Sequence, residues 1–311
     1  MKKTDWAIRG AKNDMLKSLG AIQRRYSYID DIKYALSKDV ATVEAAIQKY
    51  YFELKRPLYK FFAGDILENV VGEAHEEFLN SLKTYIRQGR LTVNAGVSDR
   101  LLDSLRQQIV QNIDGMVLQA DQSMRARARD FSKVAAESAN NAAMAQIQST
   151  QLKIESITAR TTGAEDLQKA WIELQDKYGT RGTVKYRDGK NYPLNTYVDG
   201  RAKTTATDVH VLTTQYEASA AGVLTGMITS HGAIDSCKDW EGKLVCFTPE
   251  GREIMSHKFP EARKLRTVDE IRRDKSTHMW KFNCTHGITS YPIQFLDDQD
   301  ARGIILEAVA A

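Results

Sequence analysis

Residues 101–131 read LLDSLRQQIVQNIDGMVLQADQSMRARARDF, and within them Leu105, Ile109, Ile113, Met116, Ala120, Met124, Ala128 and Phe131 recur at steps of three and four. That period puts all eight on one stripe of a single helix, with Gln, Asn, Asp and Arg on the other faces. Prolines stand only at Pro57, Pro193, Pro249, Pro260 and Pro292, so nothing between Pro57 and Pro193 has to break a helix. Past Phe131 the stripe thins to Val134, Met144, Ile147, Leu152, Ile154 and Ile157 among alanines. A long helix so poor in large apolar residues depends on packing against a neighbour, expected here to be partly another chain.

Working outward toward the N-terminus, the first hundred residues read as several shorter helices, with Pro57 expected to interrupt the most aromatic of them. There Tyr50, Tyr51, Phe52, Tyr59, Phe61 and Phe62 interleave with Lys49, Lys55, Arg56 and Lys60. This composition suits stacking and phosphate contacts on nucleic acid, but aromatics at helical spacing are more often core or subunit interface, the reading preferred here. From Met1 to Lys60 there are thirteen Lys and Arg against seven Asp and Glu. Arg24, Arg25, Lys55 and Arg56 belong to this excess and are candidate contacts to an acidic partner or nucleic acid. Arg125, Arg127 and Arg129 alternate by two, so a helix spreads them over more than one face, as a solvated surface would have them.

Toward the C-terminus the composition changes near residue 175. Gly179, Gly182, Gly189 and Pro193, with a β-type run from Thr183 to Tyr186, predict a linker or hairpin. A further helix is expected through Val209, Leu212, Tyr216 and Ala220, ending at Gly222. The fold class is therefore mainly α, a long helical N-terminal region followed by a smaller α+β domain. The expected division is 1–100 (basic and aromatic helices), 101–175 (a long helix) and 176–311 (the α+β domain).

The whole chain excludes several classes. With 311 residues, 42% of them hydrophobic, it can bury a core. A net charge of +4 is too small for a general polycation. No apolar run is long enough to span a membrane, and none follows the charged start as in a signal peptide. The three cysteines Cys237, Cys246 and Cys284 are an odd number, which argues for a reducing compartment rather than a disulfide scaffold.

Two short elements couple Cys to His: Ser230-His231-Gly232-Ala233-Ile234-Asp235-Ser236-Cys237 and Asn283-Cys284-Thr285-His286. Zinc favours thiolate and imidazole in sets of four, commonly two from each of two separated motifs. His231, Cys237, Cys284 and His286 fit that accounting for one structural zinc ion, although the spacings are not those of a zinc finger. The competing reading is two small buried cysteines and two histidines bonded to loop backbone. Cys246 reads as a packed strand residue, and His210, His257 and His278 as isolated surface or loop histidines.

Catalysis needs a nucleophile, a base and an orienting group. A Cys237 or Cys284 thiol with His231 or His286 and Asp235, or His231 and Asp235 around a divalent ion, supply only fragments of such a set. GxxxxGK[ST], HExxH and GxSxG are all absent, so no enzyme is expected.

The residues from Gly182 to Pro292 resemble the phage minor capsid protein 2 group, related to the head morphogenesis proteins of tailed phages. The resemblance runs in order. Val184-Lys185-Tyr186-Arg187-Asp188-Gly189-Lys190 looks like a strand and turn of the family, and Tyr197 followed by Lys203-Thr204 like its next element. Ser230-His231-Gly232-Ala233 to Cys237, with Trp240-Glu241-Gly242-Lys243, and Asn283-Cys284-Thr285-His286 with Tyr291-Pro292 look like its closing blocks. Lys203 and Thr285 stand where arginines are expected, which puts a role of those arginines in doubt.

The resemblance implies a structural minor head protein of a tailed phage, in several copies per virion, assembled near the portal with portal, major capsid or scaffold protein and in reach of packaged double-stranded DNA. It would sit in the head interior or at the portal vertex, after assembly in the host cytoplasm. A DNA-binding protein ejected with the genome is the alternative, and a metal-dependent hydrolase or toxin a third. Only nineteen residues follow Pro292, so no catalytic domain is expected after the resembling region.

Overall fold

The computed structural model describes residues 2–93, 96–149, 155–178, 182–185, 189–282 and 284–310. Mainly α architecture with a small α+β C-terminal part is what it shows. The helices are α1 (Lys2–Arg25), α2 (Ile32–Ser37), α3 (Val40–Tyr59), α4 (Leu67–Arg87), α5 (Asp99–Ser149), α6 (Glu155–Tyr178), α7 (Leu194–Ala220), α8 (Pro249–Lys258), α9 (Val268–Arg273) and α10 (Asp298–Ala310). The strands are β1 (Thr183–Lys185), β2 (Asn191–Pro193), β3 (Thr225–Ile228), β4 (Leu244–Cys246) and β5 (Ile288–Ser290). Contacts group the chain into two units, each assembled from separated stretches: a helical unit of residues 12–60 and 111–198, and a sheet unit of 1–11, 61–110 and 199–311. Among the described residues no helix is long and apolar enough to cross a membrane.

In the helical unit the predicted stripe is the buried face of α5, with Ile113, Met116, Ala120, Met124 and Phe131 inside. Of the thin continuation, Val134 is half-buried, while Leu152 and Ile154, and the side chains of Met144, Ile147 and Ile157, lie outside the described residues. Asp39 caps α3 by accepting from the Thr42 N–H at 2.8 Å. Pro57 does not interrupt that helix as expected. It sits inside α3 without an N–H to donate, and a π-helical segment, Lys60–Ile66, follows, the form in which a helix absorbs a break in its hydrogen-bond ladder. Tyr50 and Tyr51 are core residues of this unit, and Phe61 and Phe62 are buried in the other, whereas Phe52 is 75% exposed. The aromatic segment is therefore chiefly core.

Arg127 is a second departure, because it is buried rather than solvated. Its guanidinium stacks 4.1 Å from the Trp171 ring centre and lies 3.6 Å from an Asp30 oxygen. Arg125 pairs with Asp121 and Arg129 with Glu44, so these two cations face carboxylates. The β1/β2 hairpin forms where glycine and proline predicted it, pairing Val184 with Tyr192. Gly179 and Tyr186-Arg187-Asp188 of that prediction lie outside the described residues.

The sheet unit is built around the order β4-β3-β5, antiparallel throughout. One core gathers Phe78 and Leu82 of α4, Val211 and Ala218 of α7, Phe247, Trp280 and Ile288; a second gathers Met255, Phe259, Ile293 and Ile305 around Leu244 and Cys246. Helix α7 begins earlier than its apolar spacing suggested; Val209 is buried and Leu212 half-buried as expected, but the buried surface extends well beyond that stripe. Tyr216 and Ala220 are exposed, while Thr205, Val211, Thr214 and Ala218 are buried. Threonine hydroxyls make this possible by bonding to backbone, as Thr204 does to the Gly200 carbonyl at 3.0 Å. The predicted helix end is correct: Gly222 follows at φ +73°, a conformation that suits glycine.

His210 was expected at the surface and is buried on α7, its Nε2 3.0 Å from Glu77 Oε2 of α4; His75 Nδ1 of α4 lies 3.3 Å from Glu217 Oε2 of α7. The hydrogen bond from His210 holds the Glu77 carboxyl down at about 2. Hydrogen bonds from Ser276 hold Asp274 well below the usual range. Depressed carboxyls stabilise the fold above their unfolded values of about 4 and stop doing so as pH falls toward the folded values. Glu217 opposes this, since burial raises it. Between pH 6 and pH 3 the urea midpoint of the sheet unit should therefore fall, and Glu77→Gln should flatten the decline; an unchanged slope in that variant would refute the assignment.

Candidate metal centre

The sheet register brings the two Cys/His elements together. Ile228 pairs with Ile288 in antiparallel strands, so the residues after β3 run beside those before β5. Thr229 N–H donates to the Gly287 carbonyl at 3.2 Å, and Gly287 N–H to Thr229 Oγ1 at 2.9 Å. On the other side of β3, Gly242 N–H donates to the Ile228 carbonyl, which places Trp240-Glu241 at the same end of the sheet. Gly232 and Gly242 turn these loops at φ +78° and +72°.

Cys237, Cys284 and His286 are all buried, and their donor atoms lie within 4.8 Å of one another. Cys284 Sγ is 3.5 Å from His286 Nδ1. The other imidazole nitrogen, His286 Nε2, is 3.1 Å from Glu241 Oε1. That same oxygen accepts from the His231 N–H at 2.8 Å and the Ala233 N–H at 3.0 Å. These backbone donors, and then His286, bring the Glu241 carboxyl down to about 2. Burial, with the Cys284 thiol and Asp235 beside it, pushes the Cys237 thiol up to about 12.

Of the four expected donors, then, three converge. The fourth, His231, stands apart from the sulfurs: it is exposed, its Nε2 is 3.4 Å from Thr285 Oγ1 and its ring lies against that of His286 with centres 3.9 Å apart. Among the described residues it belongs to a second trio, His231, Glu241 and His286. Asn283 lies outside the described residues. Cys246 is packing, as read, buried in β4 with burial raising its thiol to about 12. His257 and His278 are exposed.

Three further residues hold this end of the sheet in place, and of these only Asp235 is singled out in the sequence. Trp280 donates from Nε1 to the His286 carbonyl at 2.8 Å, and Thr207 of α7 donates to the Cys284 carbonyl at 2.9 Å. Asp235 caps the turn that carries Cys237, accepting from its N–H at 2.9 Å. Glu241 is the most consequential omission, because its value as a partner depends on the β3/β4 pairing rather than on spacing.

The basic candidates lie in the helical unit. Arg25 is 2.8 Å from Glu53 and Lys55 2.5 Å from Asp114, while Arg24 and Arg56 are exposed. Fold and site together define a mainly α protein with an α+β C-terminal part and a buried thiol and imidazole cluster able to hold a metal ion. No family model matches the chain, and neither a curated protein nor a solved structure does.

Proposed function

We propose that this chain is a structural minor head protein of a tailed bacteriophage, acting in head assembly near the portal, with a C-terminal domain held together by one structural zinc ion. The observation that carries the reading is the convergence of the resembling blocks. Ser230-His231, Trp240-Glu241 and Cys284-His286 are separated in sequence yet meet at one end of a three-stranded sheet, so the Cys/His part of the resemblance is one physical site, while Val184 and Tyr197 of its earlier blocks belong to the helical unit. The role is structural rather than enzymatic. Both cysteines of the cluster are buried, whereas a reactive thiol is at least partly exposed. The partners are protein: portal first, then capsid or scaffold. Ion pairing of Arg25 and Lys55, and burial of Tyr50 and Tyr51, favour this over a DNA-stacking surface.

Mass spectrometry of purified procapsids and mature heads tests the proposal. The chain is expected in both, in several copies. Its absence from both would sink the reading. Its loss from heads on DNA ejection, together with DNA affinity that weakens steeply with salt, would instead establish the ejected DNA-binding protein.

A further inference from the structure

We infer that the zinc ligands are Cys237 Sγ, Cys284 Sγ and His286 Nδ1, that Glu241 is the positioning carboxylate on the far side of the imidazole, and that His231 is not a ligand. This rests on the proposed zinc reading and specifies it atom by atom. Zinc bonds of about 2.3 Å to sulfur and about 2.0 Å to nitrogen, meeting at a tetrahedral angle, place the two donors about 3.5 Å apart. Cys284 Sγ and His286 Nδ1 are at 3.5 Å. A simple thiol to imidazole hydrogen bond would have the same length but would need one sulfur. Here Cys237 adds a second within 4.8 Å of both atoms.

The arrangement behind the histidine points the same way. Metal-bound histidines almost always give their second ring nitrogen to a carboxylate or carbonyl, which fixes the tautomer and orients the ring. His286 Nε2 meets Glu241 Oε1 at 3.1 Å, and Glu241 is itself fixed by two backbone N–H groups from the His231 loop. With Nε2 so occupied, Nδ1 is left with its lone pair toward the sulfurs. The His231 side chain is turned to Thr285 instead, so its loop contributes backbone donors to Glu241 and not a ligand.

The test uses the full-length chain loaded with Zn(II), and separately with Co(II) as a spectroscopic probe. The expected wild-type result is about one metal per chain, with Co(II) bands of a tetrahedral site and thiolate-to-metal charge transfer. Glu241→Gln keeps an acceptor for the two N–H groups but removes the charge behind His286. It should weaken zinc binding by about 10- to 100-fold and shift the Co(II) bands, whereas His231→Ala should change affinity by less than about twofold. Loss of metal in His231→Ala with retention in Glu241→Gln would overturn this ligand set while leaving the zinc reading intact. A wild-type chain that takes up neither metal would overturn both.

Discussion

Replacing Trp280 by alanine is expected to destabilise the sheet unit by about 3–5 kcal/mol, the range for truncating a large buried aromatic. Trp280 is 4% exposed and shares a core with Phe78, Val211, Phe247 and Ile288, so truncation leaves a cavity bounded by strands and two helices. It also removes the donor that fixes the His286 carbonyl. Trp280→Phe separates the two effects, because it keeps most of the apolar area while orphaning that carbonyl, at a cost of about 1–3 kcal/mol. Urea denaturation should show the order wild type, Phe, Ala. Zinc affinity should fall in both variants, since His286 loses its backbone anchor in each. Equal stability of the Ala and Phe variants would mean that packing around the indole contributes nothing, which its burial contradicts. The residue holds φ +53°, a left-handed conformation uncommon outside glycine. Trp280→Gly should therefore be no less stable than Trp280→Ala, despite its greater unfolded-state entropy, if relief of that conformation offsets it.

The contrast between Trp280 and the stripe of α5 shows what a sequence can reveal. Leu105 to Phe131 were legible because one-sided burial imposes a period of 3.6, and that period survives in the residue types. The hairpin was legible because Gly182, Gly189 and Pro193 are demanded by backbone geometry. Beyond Val209, helix α7 hid its buried surface because it is covered on several sides and lined with threonines, whose hydroxyls satisfy themselves on backbone carbonyls. No polar face remained to set against an apolar one. Arg127 and His210 were misread for a related cause. A charged or polar side chain signals exposure until its partners are known, and Trp171 and Asp30, or Glu77, come from distant parts of the chain. The same holds for the site: Cys237, Cys284 and His286 announced their chemistry by type, but choosing between His231 and Glu241 beside His286 required the register of three strands.

In the helical unit the largest effect is expected at Gly182. Its φ is +77°, and a Cβ there would fall 2.3 Å from the Tyr51 hydroxyl oxygen and 2.6 Å from the Ala120 carbonyl oxygen. Tyr51 is buried in α3 and Ala120 in α5, so the methyl group would strike a helix backbone that other contacts hold in place. Lys55 and Tyr59 bind Asp114 one and a half turns before Ala120, and Arg129 binds Glu44 beyond it. Gly182→Ala should cost the left-handed penalty of about 1–2 kcal/mol plus a steric term that brings the total above about 3 kcal/mol. Gly189 supplies the control, because it holds φ +83° with nothing within 4 Å of its added Cβ. Gly189→Ala should then cost only the conformational part. The difference between the two urea midpoints measures the close approach of the hairpin to α3 and α5, and equal midpoints would show that this approach gives way without cost. A large difference would mean that the hairpin is clamped to the helices by the absence of one side chain, which explains why glycine stands at the start of β1 rather than at the turn alone.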